Sequence, residues 1–283
     1  MSSLAVVFDF DDTLVPDSTT RLLRAHGIDP QQFWESLKPL VRAGYDPTLA
    51  FLNSFLDLVG DGKPLGRLTN KALGEFGASL NKSFFPGLPG LFKDLKAAAA
   101  KSKVEIEFYV ISGGLQEVIE GTEPIQKHFT RVYGCQLDEQ DGVLRRIKRC
   151  ITFTEKTRYL FEISKGITPE QARRNPYVVN KDVPEDRRPI PFKNIIYVGD
   201  GLTDIPCFSL LMKWPKGAGV AFGVFNPADE SSARRAFLEF LKTERVLSMH
   251  RHAYRKADEL GALLRAAVAA RCTGIQVERG QAE

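Results

Sequence analysis

The chain has 283 residues, a formal net charge of +4 and a hydrophobic fraction of 43%. This length exceeds one typical domain, and the apolar content is enough to build a core. No apolar run approaches the roughly 20 residues that a helix needs to span a bilayer, so we expect no membrane segment. The N-terminus leads straight into an apolar stretch, which leaves no room for a signal peptide.

Cysteine spacing and local charge bear on the environment and the partners of the chain. The four cysteines are scattered without paired spacing, which favours free thiols in a cytoplasmic protein. Residues 142–193 contain 13 basic and 6 acidic residues. This basic segment is either a solvated surface or a region that attracts an anionic partner. Because the chain has no Cys/His finger and no RNA-binding signature, nucleic acid is an unlikely partner.

A cluster of acidic residues follows the first predicted strand. Residues 4–8 are apolar or small and mostly β-prone, which is typical of a buried strand. Asp9, Asp11 and Asp12 come next, followed by Thr13. In open α/β sheets, ligands bind at the carboxyl edge of the strands. Carboxylates crowded there repel one another unless a cation such as Mg2+ lies between them, and an ionised carboxylate can attack phosphorus. An ordinary acidic turn is the alternative.

A helical block follows this cluster. Residues 18–80 carry apolar side chains at helical spacing, interrupted by glycines and prolines, and predict several helices and no strands. Inserted directly after the first strand, this block over residues 16–84 resembles a small helical cap, and such a cap would close over the acidic edge and exclude water from the chemistry there. A helical subdomain with only a packing role is the alternative.

A second predicted strand covers residues 104–111 and ends at Ser112, Gly113 and Gly114. The serine hydroxyl can donate a hydrogen bond to a phosphate oxygen. The glycines bring backbone N–H groups close to that oxygen at the start of a helix predicted from about Leu115.

A hairpin and a lysine come next in the chain. A strand is predicted over residues 131–137, and Asp141-Gly142 is a hairpin signal after it. Lys156 then opens a helix-like run over residues 156–164. Its point charge could neutralise a carboxylate and a phosphate, although an ordinary surface lysine is the alternative.

The last predicted strands flank a second acidic turn. Residues 194–199 form a buried strand that ends in Asp200-Gly201-Leu202-Thr203-Asp204. A helix is predicted over residues 202–212, and a last strand over residues 218–225.

Residues 166–193 show no clear period and form a long loop, either functional or family-specific. The tail over residues 231–271 favours one or two amphipathic helices, which pack either on the core or on a second subunit. His250 and His252 are predicted to be surface residues of these helices.

Taken in order, Asp9-x-Asp11-x-Thr13, Ser112, Lys156 and Gly-Asp200-Gly-x-x-Asp204 resemble the motifs of the haloacid dehalogenase (HAD) superfamily of phosphohydrolases. The resemblance implies an α/β fold, with a Rossmann-like three-layer α/β/α core, a parallel sheet and an inserted all-helical cap domain. The resemblance also implies three divisions of the chain. The catalytic core would comprise residues 1–15 and 85–230, the cap residues 16–84, and the C-terminal helical tail residues 231–283.

The same resemblance implies a phosphomonoester hydrolase that acts on a small phosphorylated metabolite through an aspartyl-phosphate. Asp9 would be the nucleophile, and Asp11 the general acid and then the general base. The phosphoryl oxygens would be held by three residues: Ser112, Gly113 and Lys156. The cofactor would be Mg2+, bound by Asp9, the Asp11 carbonyl and Asp200, with Asp204 in support.

Phosphoserine phosphatases are the closest look-alikes, but they place a glutamate after the first motif to hold the substrate amine. Here Ser18 stands where that glutamate is expected, so another phosphomonoester is an equally good candidate. Two rival classes stay open: a phosphotransferase or mutase of the same fold, and a catalytically silent binding or regulatory protein. A homo-oligomer through the C-terminal helices is also open.

Overall fold

Seven strands form one sheet in the order β4-β3-β2-β1-β5-β6-β7. The computed structural model describes residues 3–213 and 219–280. Every neighbouring pair in the sheet is parallel except the β3–β4 hairpin. The strand bounds are Leu4–Phe8 (β1), Ile106–Leu115 (β2), Arg131–Gln140 (β3), Val143–Arg149 (β4), Ile195–Gly199 (β5), Val220–Phe225 (β6) and Ser248–Arg251 (β7).

Helices cover both faces of the sheet and fill the insert after β1. Their bounds are Ser18–Ala25 (α1), Pro30–Arg42 (α2), Pro47–Asp57 (α3), Asn70–Ser79 (α4), Gly90–Lys101 (α5), Gln116–Glu120 (α6), Glu123–His128 (α7), Glu155–Ser164 (α8), Pro169–Arg174 (α9), Ile205–Lys213 (α10), Glu230–Arg235 (α11) and Glu259–Gly280 (α12). A π-helical segment, Ala236–Leu241, continues from α11.

Strand β1 lies at the centre because it is apolar on both faces, as parallel strands covered by helices must be. All five of its residues are fully buried, and it pairs with β2 on one side and β5 on the other. Ala5 and Val7 belong to one hydrophobic core, whereas Leu4, Val6 and Phe8 belong to the core on the opposite face. The predicted Rossmann-like α/β core is therefore confirmed.

The two cores separate the helices into two layers. Leu95 of α5 and Leu264 of α12 lie in one core, and Leu160 of α8 and Phe208 of α10 lie in the other. The insert belongs to the second core, which also contains Phe55 of α3. Helices α1 to α4 agree with the prediction of several helices in this part of the chain.

Strand β2 differs from its predicted end. It continues through Ser112 to Leu115, with a register shift against β3 between Ile111 and Leu115. The apolar pattern stops at Ile111, so the sequence predicted an end there. The two glycines instead carry the strand through an irregular stretch, because a bulge accommodates small residues without breaking the sheet.

The tail is not wholly helical, so that prediction was wrong. Residues 248–251 form β7, which pairs in parallel with β6 and extends the sheet. His250 therefore lies on a strand and is buried, rather than on an exposed helix. The strand has only four residues and no apolar run, so its formation depends on the β6 edge rather than on its own sequence. The predicted last strand begins at Val220, and Ala218 lies outside the described residues.

Helix α12 is long and apolar enough, by length and composition alone, to cross a membrane. It packs in this fold against α5, β1 and β7, with its buried side chains on one face. Arg265 donates two hydrogen bonds to Asp94 of α5, which fixes the helix to the core. This is the arrangement of an amphipathic helix that covers a sheet.

The insert is fixed to the core where α4 crosses α6. A Cβ at Gly77 would lie 2.1 Å from the carbonyl oxygen of Val118, and one at Gly121 would lie 2.1 Å from that of Gly74. Contact this close requires glycine on both helices.

We expect Gly77→Ala to lower the free energy of unfolding by about 1–3 kcal/mol, because the added methyl group must separate the two helices. Urea denaturation measures this change. Gly90→Ala is the matched control, since a Cβ there meets nothing within 4 Å. Equal stability of the two variants would contradict the close helix contact.

Candidate active site

The turn after β1 carries Asp9 into the carboxyl edge of the sheet. Asp9 is buried, and its Oδ1 accepts a hydrogen bond from the backbone N–H of Phe10 at 2.7 Å. Its Oδ2 accepts one from Lys156 Nζ at 2.9 Å. Burial raises the pKa of Asp9 to about 6, although the Lys156 ammonium opposes that rise. The carboxylate is therefore held by two donors inside the protein.

Lys156, on the first turn of α8, is fully buried between two carboxylates. Its Nζ also donates to Asp204 Oδ1 at 2.7 Å. Burial alone would lower the pKa of Lys156, but the charges of Asp204 and Asp9 raise it above its usual value. The ammonium therefore stays charged, and this lysine is not an ordinary surface residue.

Both carboxylate oxygens of Asp204 accept hydrogen bonds. Its Oδ1 accepts from Lys156 and from the Tyr197 hydroxyl at 2.7 Å, and its Oδ2 accepts from the Gly201 N–H at 2.9 Å. Asp204 is fully buried. These bonds fix its carboxylate in one orientation, which in turn fixes the lysine.

Asp200 completes a group of three carboxylates. Atoms of Asp9, Asp200 and Asp204 lie within 4.8 Å of one another. Burial and the charges of Asp9 and Asp204 raise the pKa of Asp200 well above its usual range, and its Oδ1 accepts from Thr13 Oγ1 at 3.3 Å. One ammonium faces three carboxylates, so the group carries unbalanced negative charge. All-oxygen donors with excess negative charge fit a hard divalent cation.

Asp11 lies beside this group rather than within it. Its Oδ1 accepts from the Ser18 backbone N–H at 2.7 Å. Burial raises the pKa of Asp11 well above its usual range, with Asp17 adding to the effect. A Cβ at Gly114 would lie 2.6 Å from Asp11 Oδ2, so a glycine is required opposite this carboxyl. A carboxyl of this kind can carry a proton at neutral pH.

Ser112 and Gly113 face the same cavity from β2. Ser112 is buried, and its Oγ accepts a hydrogen bond from the Gly114 N–H at 3.1 Å. The Ser112 hydroxyl hydrogen is free to point at a bound anion. The cavity has a volume of about 240 Å³. It is lined by Asp9, Asp11, Asp12, Asp17, Thr19, Trp34, Phe51, Ser112, Gly113, Gly114, Asp200, Gly201 and Thr203.

The structure thus brings all of the predicted site residues to one edge of the sheet. Ser112, Gly113 and the aspartates other than Asp204 line the cavity, whereas Lys156 and Asp204 lie directly behind Asp9. Their chemical roles stay predictions at this point.

Sequence reasoning missed several supporting residues. Tyr254, in the tail, is fully buried and donates from its hydroxyl to the Thr13 carbonyl at 2.6 Å. Tyr197 orients Asp204, and Trp34 and Phe51 bring the insert to the cavity. No local pattern marks these residues, because each acts through a contact with a distant segment.

Asp12 has φ of 52°, a left-handed turn conformation that aspartate tolerates.

We expect Lys156→Met to lower the free energy of unfolding by about 3–5 kcal/mol in chelator, because it leaves buried carboxylates without their cation. Urea denaturation measures this change. Lys71→Met is the control, since Lys71 is 87% exposed and pairs only with Glu75 on the surface. A Lys156 variant as stable as that control would show that the buried pair has no structural role.

No family model matches the chain. An uncharacterized protein of Borreliella burgdorferi is 29% identical over 262 residues, which cover 83% of this chain and 87% of that protein.

Solved structures share the fold. A HAD family hydrolase from Salmonella enterica serovar Typhi superposes with a TM-score of 0.55 and 18% identity, covering 89% of this chain and 69% of that one. A substrate-bound phosphoserine phosphatase superposes with a TM-score of 0.54 and 16% identity, covering 94% and 99%. The resemblance noted in the sequence is thus confirmed at the level of the fold: the chain has the fold of HAD hydrolases and phosphoserine phosphatases.

Proposed function

We propose that the protein is a Mg2+-dependent phosphomonoester hydrolase that acts through an aspartyl-phosphate on a small phosphorylated metabolite. The observation that supports this most is Lys156, buried between Asp9 and Asp204, with Asp200 beside them. The cavity in front of Asp9 also carries the Ser112 hydroxyl. The structures that share the fold include a HAD family hydrolase and a phosphoserine phosphatase.

Asp9 is the nucleophile in this proposal. The Phe10 N–H and Lys156 hold its carboxylate, so an oxygen is presented to the cavity with little loss of freedom at the moment of reaction. A bond forms between this oxygen and phosphorus while the ester oxygen–phosphorus bond breaks. Lys156 and Ser112 stabilise the negative charge on the phosphoryl oxygens.

Asp11 moves the protons. Burial raises the pKa of Asp11 and so favours the protonated carboxyl, and in this proposal Asp11 donates a proton to the departing alkoxide as that group leaves. The ionised Asp11 then accepts a proton from water. The oxygen of that water attacks phosphorus, the bond to Asp9 breaks, and inorganic phosphate leaves.

Asp9, Asp200 and the Asp11 carbonyl would hold the Mg2+ ion. When bound, the ion supplies positive charge that stabilises the transferring phosphoryl group. Asp204 supports the site, and its carboxylate accepts hydrogen bonds from Lys156, Tyr197 and the Gly201 N–H. It keeps Lys156 in place behind Asp9.

The insert acts as a cap in this proposal, since Trp34 of α2 and Phe51 of α3 line the cavity. A cavity of about 240 Å³ suits a small substrate. All four cysteines carry free thiols, which supports a cytoplasmic protein. A second subunit and the role of the C-terminal helices in binding it stay predictions.

Phosphate release from a panel of phosphomonoesters tests the proposal. We expect wild type to release phosphate with Mg2+ but not with excess chelator, and Asp9→Asn to lose at least about a thousandfold in kcat, because the nucleophile is gone. Asp57→Asn is the control, since Asp57 is exposed on the cap. Normal rates for Asp9→Asn would disprove the assignment of the nucleophile. Phosphoryl transfer to an added alcohol would indicate a transferase instead.

We expect Asp11→Asn to accumulate phosphoenzyme with p-nitrophenyl phosphate. This leaving group needs no proton, so Asp9 is still phosphorylated, whereas activation of water is slower by about 10²–10⁴-fold. Intact-mass spectrometry after an acid quench detects the added phosphoryl group. Rapid hydrolysis without a phosphorylated species would remove Asp11 from its proposed role.

A further inference from the structure

The cavity has a marked asymmetry of charge. Of the described residues that line it, five are aspartates and none is lysine or arginine. Lys156 lies behind Asp9 and is already engaged by two carboxylates. The phosphoryl group uses the side formed by Asp9, Ser112 and Asp200. The rest of the described lining therefore offers no cation that could bind an anionic leaving group.

Four residues of the insert line the cavity: Asp17, Thr19, Trp34 and Phe51. In the proposed function the leaving group lies against this wall, since Asp9, Ser112 and Asp200 hold the phosphoryl group. Trp34 Nε1 donates to Thr20 Oγ1 at 2.9 Å, and that hydroxyl donates to Asp17 Oδ2 at 2.7 Å. This chain of hydrogen bonds holds the indole and the carboxylate in a fixed relation. The rings of Trp34 and Phe51 lie 5.6 Å apart at 42°, so two aromatic rings adjoin one carboxylate.

We infer that the leaving group of the substrate carries a net positive charge, so that the preferred substrates are phosphate monoesters of small amino alcohols that have no carboxylate. The inference rests on the proposed function and names the substrate class of that site. An ammonium group is attracted by the Asp17 carboxylate and by the negative faces of Trp34 and Phe51. A carboxylate or a second phosphate on the leaving group would be repelled by the same walls.

The surface next to the cavity carries more basic than acidic side chains. A neighbouring groove of about 690 Å³ is lined by Leu202, Leu238, Arg234, Arg235 and other residues. Burial raises the pKa of Asp12, and Arg235 partly opposes this from the groove. The arginines of this groove would attract a substrate with an anionic leaving group, so such substrates are the competing class that the experiment must separate.

The experiment compares kcat/KM for five esters with Mg2+: phosphoethanolamine, phosphocholine, glycerol 3-phosphate, phosphoserine and 3-phosphoglycerate. The neutral glycerol ester is the size-matched reference. We expect the two cationic esters to exceed it by at least about tenfold, which corresponds to about 1.4 kcal/mol, and the anionic 3-phosphoglycerate to fall below it.

Variants at two positions locate the source of this preference. Asp17→Asn should lower the ratio of kcat/KM for phosphocholine over glycerol 3-phosphate by about tenfold, because asparagine keeps the cap of α1 but removes the charge. Trp34→Leu should lower the same ratio, and Trp34→Phe should restore most of it by returning a ring. Asp29→Asn is the matched control. Asp29 is also the N-cap residue of a helix in the insert, but it does not line the cavity, so the kcat/KM ratio of this variant should equal that of wild type.

The outcomes separate this inference from the proposed function. If 3-phosphoglycerate or phosphoserine is preferred, or if Asp17→Asn leaves the ratio unchanged, the cationic leaving group is wrong while the hydrolase stands. If no ester and not even p-nitrophenyl phosphate is hydrolysed in an Asp9-dependent way, the proposed function itself fails. Should Asp17→Asn not fold by circular dichroism, the two Trp34 variants decide the inference alone.

Discussion

The buried ammonium of Lys156 is the constraint on which the rest of the site depends. A charge without solvent must be paired, and here helix α8 inserts it between carboxylates that follow β1 and β5. The hydroxyl of Tyr197 and the N–H of Gly201 fix Asp204 from the other side. Two strands and a helix are therefore held together by one group of charges. The same contacts leave Asp9 oriented toward the cavity.

The strand order of the sheet brings these charged residues together. Because β1 lies between β2 and β5 and all three run parallel, their carboxyl ends share one edge. The chain leaves β1 toward β2 on one side and reaches β5 on the other, which makes this edge a topological switch point. Residues separated by nearly 200 positions, such as Asp9 and Asp200, thereby face one cavity. The buried Tyr254 connects the C-terminal part of the chain to the turn after β1, which carries Asp9.

The insert both lines the cavity and packs against the core. Its helices share a hydrophobic core with one face of the sheet, and the close contact of Gly77 with α6 fixes one of them. Thr152, just before Lys156, donates to Asp46 at the start of α3. The insert thus contacts the core at several separate places, and its aromatic residues Trp34 and Phe51 line the cavity.

The sequence alone determined the parts of this protein in which pattern and chemistry are local. An unbroken apolar run predicted β1, the Asp141-Gly142 pair predicted the hairpin, and acids at strand ends predicted the carboxylate cluster. Only the tertiary structure decided the rest. The β7 strand forms because β6 offers an unpaired edge, and its own four residues carry no strand pattern. Trp34 reaches the cavity and Tyr254 reaches Thr13 through contacts between distant segments, which no local periodicity encodes.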